Sequence, residues 1–199
     1  MVAGFRYEQV TGSGATSPPF LSIVTRCYKR PSFLENNQAS LRAQTVTNYE
    51  QLLIIDDIGR GIHAANMALA DAYPAGDYVL VLDDDDVITD PEMIETLQWY
   101  TEQEGRPGLV FFKADHDHLG ILPDGLVWGR RPIHGRVGSC DFISRRDIWE
   151  KYIAAFGAPH SGDYTYLKTV WLTERPCVAW LDRQMTAVQR ISNGRAEGD

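Results

Sequence analysis

From Phe20 onward, short apolar runs alternate with segments in which apolar residues recur every three or four positions. Leu21-Ser22-Ile23-Val24-Thr25, Glu50 to Asp57, Asp77 to Leu82 and Leu109-Val110-Phe111-Phe112 are short and rich in β-favouring side chains, which predicts buried strands. Between them, Pro31 to Ala43, Gly61 to Tyr73 and Pro91 to Glu104 read as helices. Phe33, Leu34 and Leu41 mark the buried side of the first, and Ala64, Ala65, Ala68 and Leu69 a close-packing face on the second. Strands and helices in turn predict an α/β fold, a mostly parallel central sheet flanked by helices. The pattern weakens between Lys113 and Val137, a stretch long enough to be functional or to form its own small hairpin. It returns with a strand at Asp141-Phe142-Ile143-Ser144 and helices near Asp147 to Phe156 and Asp163 to Glu174. Val178 to Leu181 and Met185 to Ile191 suggest a final hairpin on the acceptor-side region. Residues 1–19, rich in Gly, Ser, Thr and Pro, read as a loose leader, residues 20–192 as one domain, and residues 193–199 as a frayed polar tail.

Composition narrows the class. The 199 residues are 44% hydrophobic and 23% charged, as in soluble globular proteins. A net charge of −8 without a basic stripe argues against indiscriminate nucleic-acid binding. No apolar run has membrane-spanning length. Cys27, Cys140 and Cys177 are too widely spaced for a disulfide framework or a zinc site, which suits a cytoplasmic location.

Chemistry concentrates at two strand ends. Leu82-Asp83-Asp84-Asp85-Asp86 closes one apolar strand, and Asp56-Asp57 closes another. Four consecutive carboxylates at a buried strand's end repel one another and lose solvation, so something must neutralise them. A divalent cation with oxygen ligands, shared with substrate phosphates, is the simplest agent. A solvated acidic turn with Asp90 capping the next helix is the plainer alternative. In a parallel sheet both acidic ends leave the same edge, joined there by Thr25 and Arg26. This set suits a nucleoside diphosphate: carboxylates for ribose and base, a metal for the diphosphate, arginine for residual charge.

These segments, in this order, resemble family 2 glycosyltransferases of the GT-A (Rossmann-like) fold. Ser22-Ile23-Val24-Thr25 with Tyr28-Lys29-Arg30-Pro31 is similar to the family's opening, Leu53-Ile54-Ile55-Asp56-Asp57 to its second strand, and Ala64-Ala65-Asn66 through Ala70 to the next helix. Leu82-Asp83-Asp84-Asp85-Asp86 with Pro91 resembles the DXD segment. The likeness covers Leu21 to Leu97 well and Gly138 to Leu172 more loosely. It implies a UDP- or GDP-sugar donor, a saccharide or other hydroxyl acceptor, and Mn²⁺ or Mg²⁺. It further implies that Asp56 or Asp57 contacts the base, Asp83 the ribose or the metal, and Asp85 the metal, with Asp84 and Asp86 in support. Residues 20–104 would then form the nucleotide-sugar half and residues 105–192 the acceptor half.

An acceptor hydroxyl must lose its proton as it attacks the sugar, and a carboxylate commonly takes it. Asp163, in His160-Ser161-Gly162-Asp163-Tyr164, resembles the family's catalytic Glu-Asp element, although Gly162 stands in place of the glutamate; a helix cap is the simpler role. The chain also departs from the family in having only Ile58 to His63 between the Asp-Asp turn and the next helix, which implies a missing edge unit. Ala65 replaces the family's arginine, for which Arg26 or Arg60 could substitute. His134 and His160 are candidate metal or acceptor contacts, Trp128 a candidate sugar platform, and Asp115-His116-Asp117-His118 reads as a solvated loop. The leading reading is an inverting, metal-dependent glycosyltransferase. A retaining mechanism remains open. A sugar nucleotidyltransferase would carry a Gly-rich loop where Thr25 to Pro31 has none, and a cation-binding module would show EF-hand order, which the acidic run lacks.

Overall fold

The computed structural model describes residues 4–12, 18–158, 161–174 and 178–189. Nine strands form one sheet: β1 (Phe5–Thr11), β2 (Leu21–Cys27), β3 (Tyr49–Asp56), β4 (Tyr78–Val81), β5 (Asp86–Ile88), β6 (Leu109–Asp115), β7 (Ile121–Leu122), β8 (Phe142–Arg145) and β9 (Val178–Val188). Their spatial order is β1-β3-β2-β4-β8-β6-β9-β5, with β7 attached to β6. Helices α1 (Pro31–Arg42), α2 (Ile62–Ala68), α3 (Met93–Gln103), α4 (Arg146–Tyr152) and α5 (Gly162–Glu174) complete the regular structure.

Period-two alternation sorts the core into two layers. Leu21, Ile23, Leu80 and Leu82 face Leu41 of α1 and Met93, Ile94 and Leu97 of α3. Val24, Val79, Val81 and Phe111 face the other way, toward Ala68 of α2, Ile148 and Trp149 of α4, and Tyr166, Leu167 and Val170 of α5. Burial of both faces explains why the strands read as nearly continuous apolar runs.

Three expectations are corrected. The sheet is mixed rather than mostly parallel: β2 runs parallel to β3 and β4, and β6 to β9, but β8 enters antiparallel between β4 and β6. The leader contains β1, which pairs antiparallel with β3 from Phe5 opposite Asp56 to Thr11 opposite Glu50. This strand forms the edge of the sheet beside β3. Phe5 and Tyr7 pack partly against the core on the α2 side, but the other five of its seven residues are exposed, so the apolar alternation is too short to declare a strand. The expected final hairpin is one strand, β9, which pairs with β6 on one side and β5 on the other, through a register irregularity near Lys113. No Gly or Pro breaks the chain between Val178 and Val188, so nothing forces a turn there. Within the irregular stretch, β7 folds back on β6 as a small hairpin. Among the described residues no helix is long and apolar enough to cross a membrane. The tail at 193–199 and the residues His160 and Cys177 lie outside the described residues.

Candidate active site

The acidic segment is a tight turn between β4 and β5, held by its own backbone and by two side chains from elsewhere. The Asp86 N–H donates to the Asp83 carbonyl at 2.9 Å, and the Asp83 N–H donates to the Asp86 carboxylate at 3.2 Å. Buried Asn37 of α1 donates to the carbonyls of Asp83 (3.0 Å) and Asp86 (2.8 Å), while its own carbonyl accepts from Gln51 at 2.8 Å. Gln189, just past β9, donates its backbone N–H to the Asp85 carbonyl at 2.6 Å. With the turn fixed, the carboxylates of Asp83, Asp85 and Asp86 offer one oxygen each within 4.8 Å of one another.

Arginines, rather than a cation alone, answer the repulsion expected of this run. Arg26 grips Asp83 with two nitrogens, its Nε at 2.6 Å, and also donates to Asn66 of α2. Arg30 binds Asp84 through two nitrogens and Asp85 at 2.9 Å. Asp84 is thereby turned away from the other three, with the Tyr28 N–H donating to it at 3.1 Å. Burial still pushes the Asp84 carboxyl up to about 7. Burial, followed by the charge of Asp83, also raises Asp85 and Asp86 above the usual carboxylate range. Four carboxylates facing two guanidiniums leave two negative charges, and the three convergent carboxylates are hard oxygen donors. That donor set fits a divalent Mn²⁺ or Mg²⁺.

Strand alternation decides which of the expected binding residues reach the cleft. Thr25 and Arg26 are neighbours on β2 and so point to opposite faces. Arg26 enters the cleft. Thr25 is sealed beneath α1, where its hydroxyl accepts from Gln51 at 2.9 Å, so it does not join the site. Asp56 and Asp57 divide in the same way. The buried Asp56 carboxylate accepts four backbone N–H bonds, from Ile58 (3.2 Å), Gly59 (2.8 Å), Arg60 (2.5 Å) and Gly61 (3.3 Å). These fill the roughly four acceptor sites of a carboxylate, so Asp56 shapes the loop and has none left for a base. Exposed Asp57 turns outward to Arg6 of β1 at 3.4 Å. Arg26 donates to Asn66 and lines the same cavity as Ala65; Arg60 instead lies against Gly4.

Two cavities meet at these groups. One, of about 360 Å³, lies over the ends of β2 and β3 and is lined by Tyr28, Asp56, Gly59, Ile62 and Ala65. The other, of about 540 Å³, reaches toward α5 and is lined by Asp86, His116, Gly138, Cys140 and Asp163. Arg26, Ile62, Asp83 and Asp85 border both. Asp163 is half-buried at the start of α5 and accepts from the Tyr164 N–H at 2.7 Å. Burial raises its carboxyl above the ordinary value, the Tyr164 N–H and Arg26 oppose the shift, and Asp141 and Asp83 add to it. Gly162 explains its own presence in place of glutamate, since a Cβ there would come within 2.3 Å of the Phe156 carbonyl oxygen.

Other candidates fall elsewhere. His134 bonds Ser161 and sits edge-on to Tyr164 with ring centres 5.4 Å apart, which braces the entry to α5. Trp128 packs edge-on against Trp180 at 5.2 Å, beneath Lys113, and does not line the larger cavity. Asp117 and His118 are exposed, as a solvated loop requires, but His116 turns inward to Asp141 at 2.6 Å. No periodic cue marks His116, because its partner lies 25 residues away on a different element. Asn37 was equally hidden: a polar residue in a helix reads as solvent-facing until the packing is known.

No protein-family model and no curated protein matches the sequence. Solved structures do match. Crystal structures of S. aureus TarS 1-349 in complex with UDP (TM-score 0.65, 14% identity) and with UDP-GlcNAc (TM-score 0.64, 12% identity) align with 86% and 90% of this chain. A further crystal structure of S. aureus TarS aligns with 86% at a TM-score of 0.61 and 13% identity. The chain spans 60% and 61% of the length of the first two. The likeness shows a GT-A-like fold with a mixed, curled sheet flanked by helices.

Proposed function

We propose that the chain transfers a sugar from a nucleoside-diphosphate sugar to an acceptor hydroxyl, with inversion at the anomeric carbon. The observation that carries this reading is the junction of two cavities at Arg26, Asp83 and Asp85, with Asp163 lining only the one toward α5. A nucleoside fits the cavity over β2 and β3, its diphosphate the junction, and its sugar the cavity of Asp163. Asp83, Asp85 and Asp86 would hold Mn²⁺ or Mg²⁺, which when bound supplies positive charge for the leaving diphosphate. Arg26 adds a fixed charge at the same place. Asp163 takes the acceptor proton as the acceptor oxygen attacks the anomeric carbon and the bond to the diphosphate breaks. Its pKa, raised by burial, makes it a stronger base than an ordinary aspartate.

UDP-sugars are the first donors to test, since the similar TarS structures hold UDP and UDP-GlcNAc; GDP-sugars follow. Thermal-shift screening of UDP-, GDP-, CDP- and dTDP-sugars with and without Mn²⁺ should give one nucleotide a clear stabilisation that a chelator removes. Asp85→Ala should abolish the Mn²⁺-dependent part of that shift while the protein stays folded, because the change removes a ligand and relieves carboxylate repulsion. An unchanged metal response in Asp85→Ala would move the cation away from this turn. Product stereochemistry then tests inversion: retained configuration would leave the donor site standing and remove Asp163 from the role of base.

A further inference from the structure

Behind the wall of the Asp163 cavity formed by His116, Gly138 and Cys140 lies a buried carboxylate that the transfer step leaves unused. Asp141 follows Cys140 in the short turn Ser139–Asp141, and its side chain is sealed from solvent. It accepts from the Gly138 N–H at 2.6 Å, lies 2.6 Å from Nε2 of His116, and receives the Cys140 thiol at 3.6 Å. Burying a carboxylate costs several kcal/mol unless it is paired. Among the described residues His116 is the cationic group bonded to it.

The imidazole is held as firmly as its partner. The His116 backbone N–H donates to the Gly120 carbonyl at 3.0 Å, which fixes the main chain beneath the ring, and the ring lies on Gly138, where a Cβ would approach Cε1 to 2.6 Å. A glycine at 138 therefore makes room for the ring. An ionised Asp141 can only accept, so beside it Nε2 is the protonated nitrogen. Nδ1 is left over and bonds to none of the described residues. His116 lines the cavity together with Gly138, Cys140 and Asp163. Burial works against a charged imidazole, but the Asp141 hydrogen bond and the charges of Asp141, Asp163 and Asp115 outweigh it and raise its pKa. A hydroxyl can meet Nδ1 in either state, donating to the bare nitrogen or accepting from the protonated one.

We propose that His116, oriented by Asp141, recognises the transferred sugar through a hydrogen bond between Nδ1 and one of its hydroxyls. This rests on the sugar-transfer reading of the cleft and adds to it a residue that distinguishes sugars, separate from those that hold the nucleotide. A sugar site built on a paired imidazole discriminates strongly, because a bound donor lacking the hydroxyl covers Nδ1 and leaves it unpaired.

Calorimetry with UDP and with UDP-GlcNAc, both in Mn²⁺, tests the assignment. His116→Ala should bind UDP as the wild type does and lose roughly tenfold to a hundredfold in affinity for UDP-GlcNAc. Asp141→Asn keeps an acceptor for Nε2 and should show a smaller loss confined to the same ligand. It carries the test if His116→Ala does not fold. A UDP-sugar series, each member lacking one hydroxyl, should contain one that the wild type binds weakly and that His116→Ala binds no more weakly. Unchanged binding of UDP-GlcNAc in folded variants, or equal losses for UDP and UDP-GlcNAc, would overturn the proposal. A wild-type protein that binds no UDP at all would instead overturn the donor reading beneath it.

Discussion

Asp163 shows how one residue can be read from stability as well as from rate. Its carboxyl is held above the ordinary value, with burial as the main cause. The folded chain therefore binds this proton more tightly than the unfolded chain does. The resulting stability is complete below the unfolded value, near 3.9, and is lost as pH rises through the folded value. At neutral pH the ionised carboxylate is a cost that the fold carries. Asp163→Asn removes that cost, so its melting temperature at pH 7 should equal or exceed that of the wild type. Transfer should nevertheless fall by roughly 10²–10⁴, the usual contribution of a positioned general base. The wild-type rate should rise with pH through an inflection above the ordinary aspartate range. A rate close to wild type in the asparagine variant would reduce Asp163 to a helix cap.

Elements differ in how openly the sequence declares them. Strands β2, β3, β4 and β6, with α1 and α3, are legible because both sheet faces are buried and apolar residues predominate on those strands. Strand β1 is not, since it contributes hydrogen bonds to β3 but little side-chain burial. The acidic turn is legible as chemistry, yet its support is not. Asn37 lies on the buried face of α1 and spends its whole amide on Asp83, Asp86 and Gln51. Replacing it by leucine of similar size strands two carbonyls of the turn and the Gln51 amide away from water. The expected cost is about 3 kcal/mol by denaturant unfolding. Mn²⁺ affinity should fall too, although no ligand has been touched, because the three carboxylates lose their fixed spacing. A variant that loses stability while binding Mn²⁺ normally would show that the turn holds its shape without α1.

At the scale of the whole molecule, strand direction was the least legible property. Local pattern reports burial, and an antiparallel β8 buried on both faces looks the same as a parallel strand. The site suffers less, because the ends of β2, β3 and β4 meet at one edge whatever the rest of the sheet does. That edge brought together Arg26, Asp83 and Asp85, with Asp163 arriving from α5, but it separated Thr25 and Asp57 from them. The two halves of the cleft should therefore fail independently. Asp56 lines the cavity we assign to the nucleoside, where it organises the loop at 57–61 through four N–H bonds and offers no acceptor site to a ligand. Asp56→Ala should cost about 3 kcal/mol of stability by freeing those donors and should weaken free UDP by disordering the wall of its cavity. Asp57→Ala should do neither, because its carboxylate is exposed and, among the described residues, meets only Arg6 across the sheet edge. Calorimetry with UDP on the two variants separates a shaping role from a contacting one. If Asp57→Ala alone loses affinity, the base lies outside the cavity and reaches the carboxylate directly. If both bind UDP normally, the nucleoside does not occupy the cavity over β2 and β3.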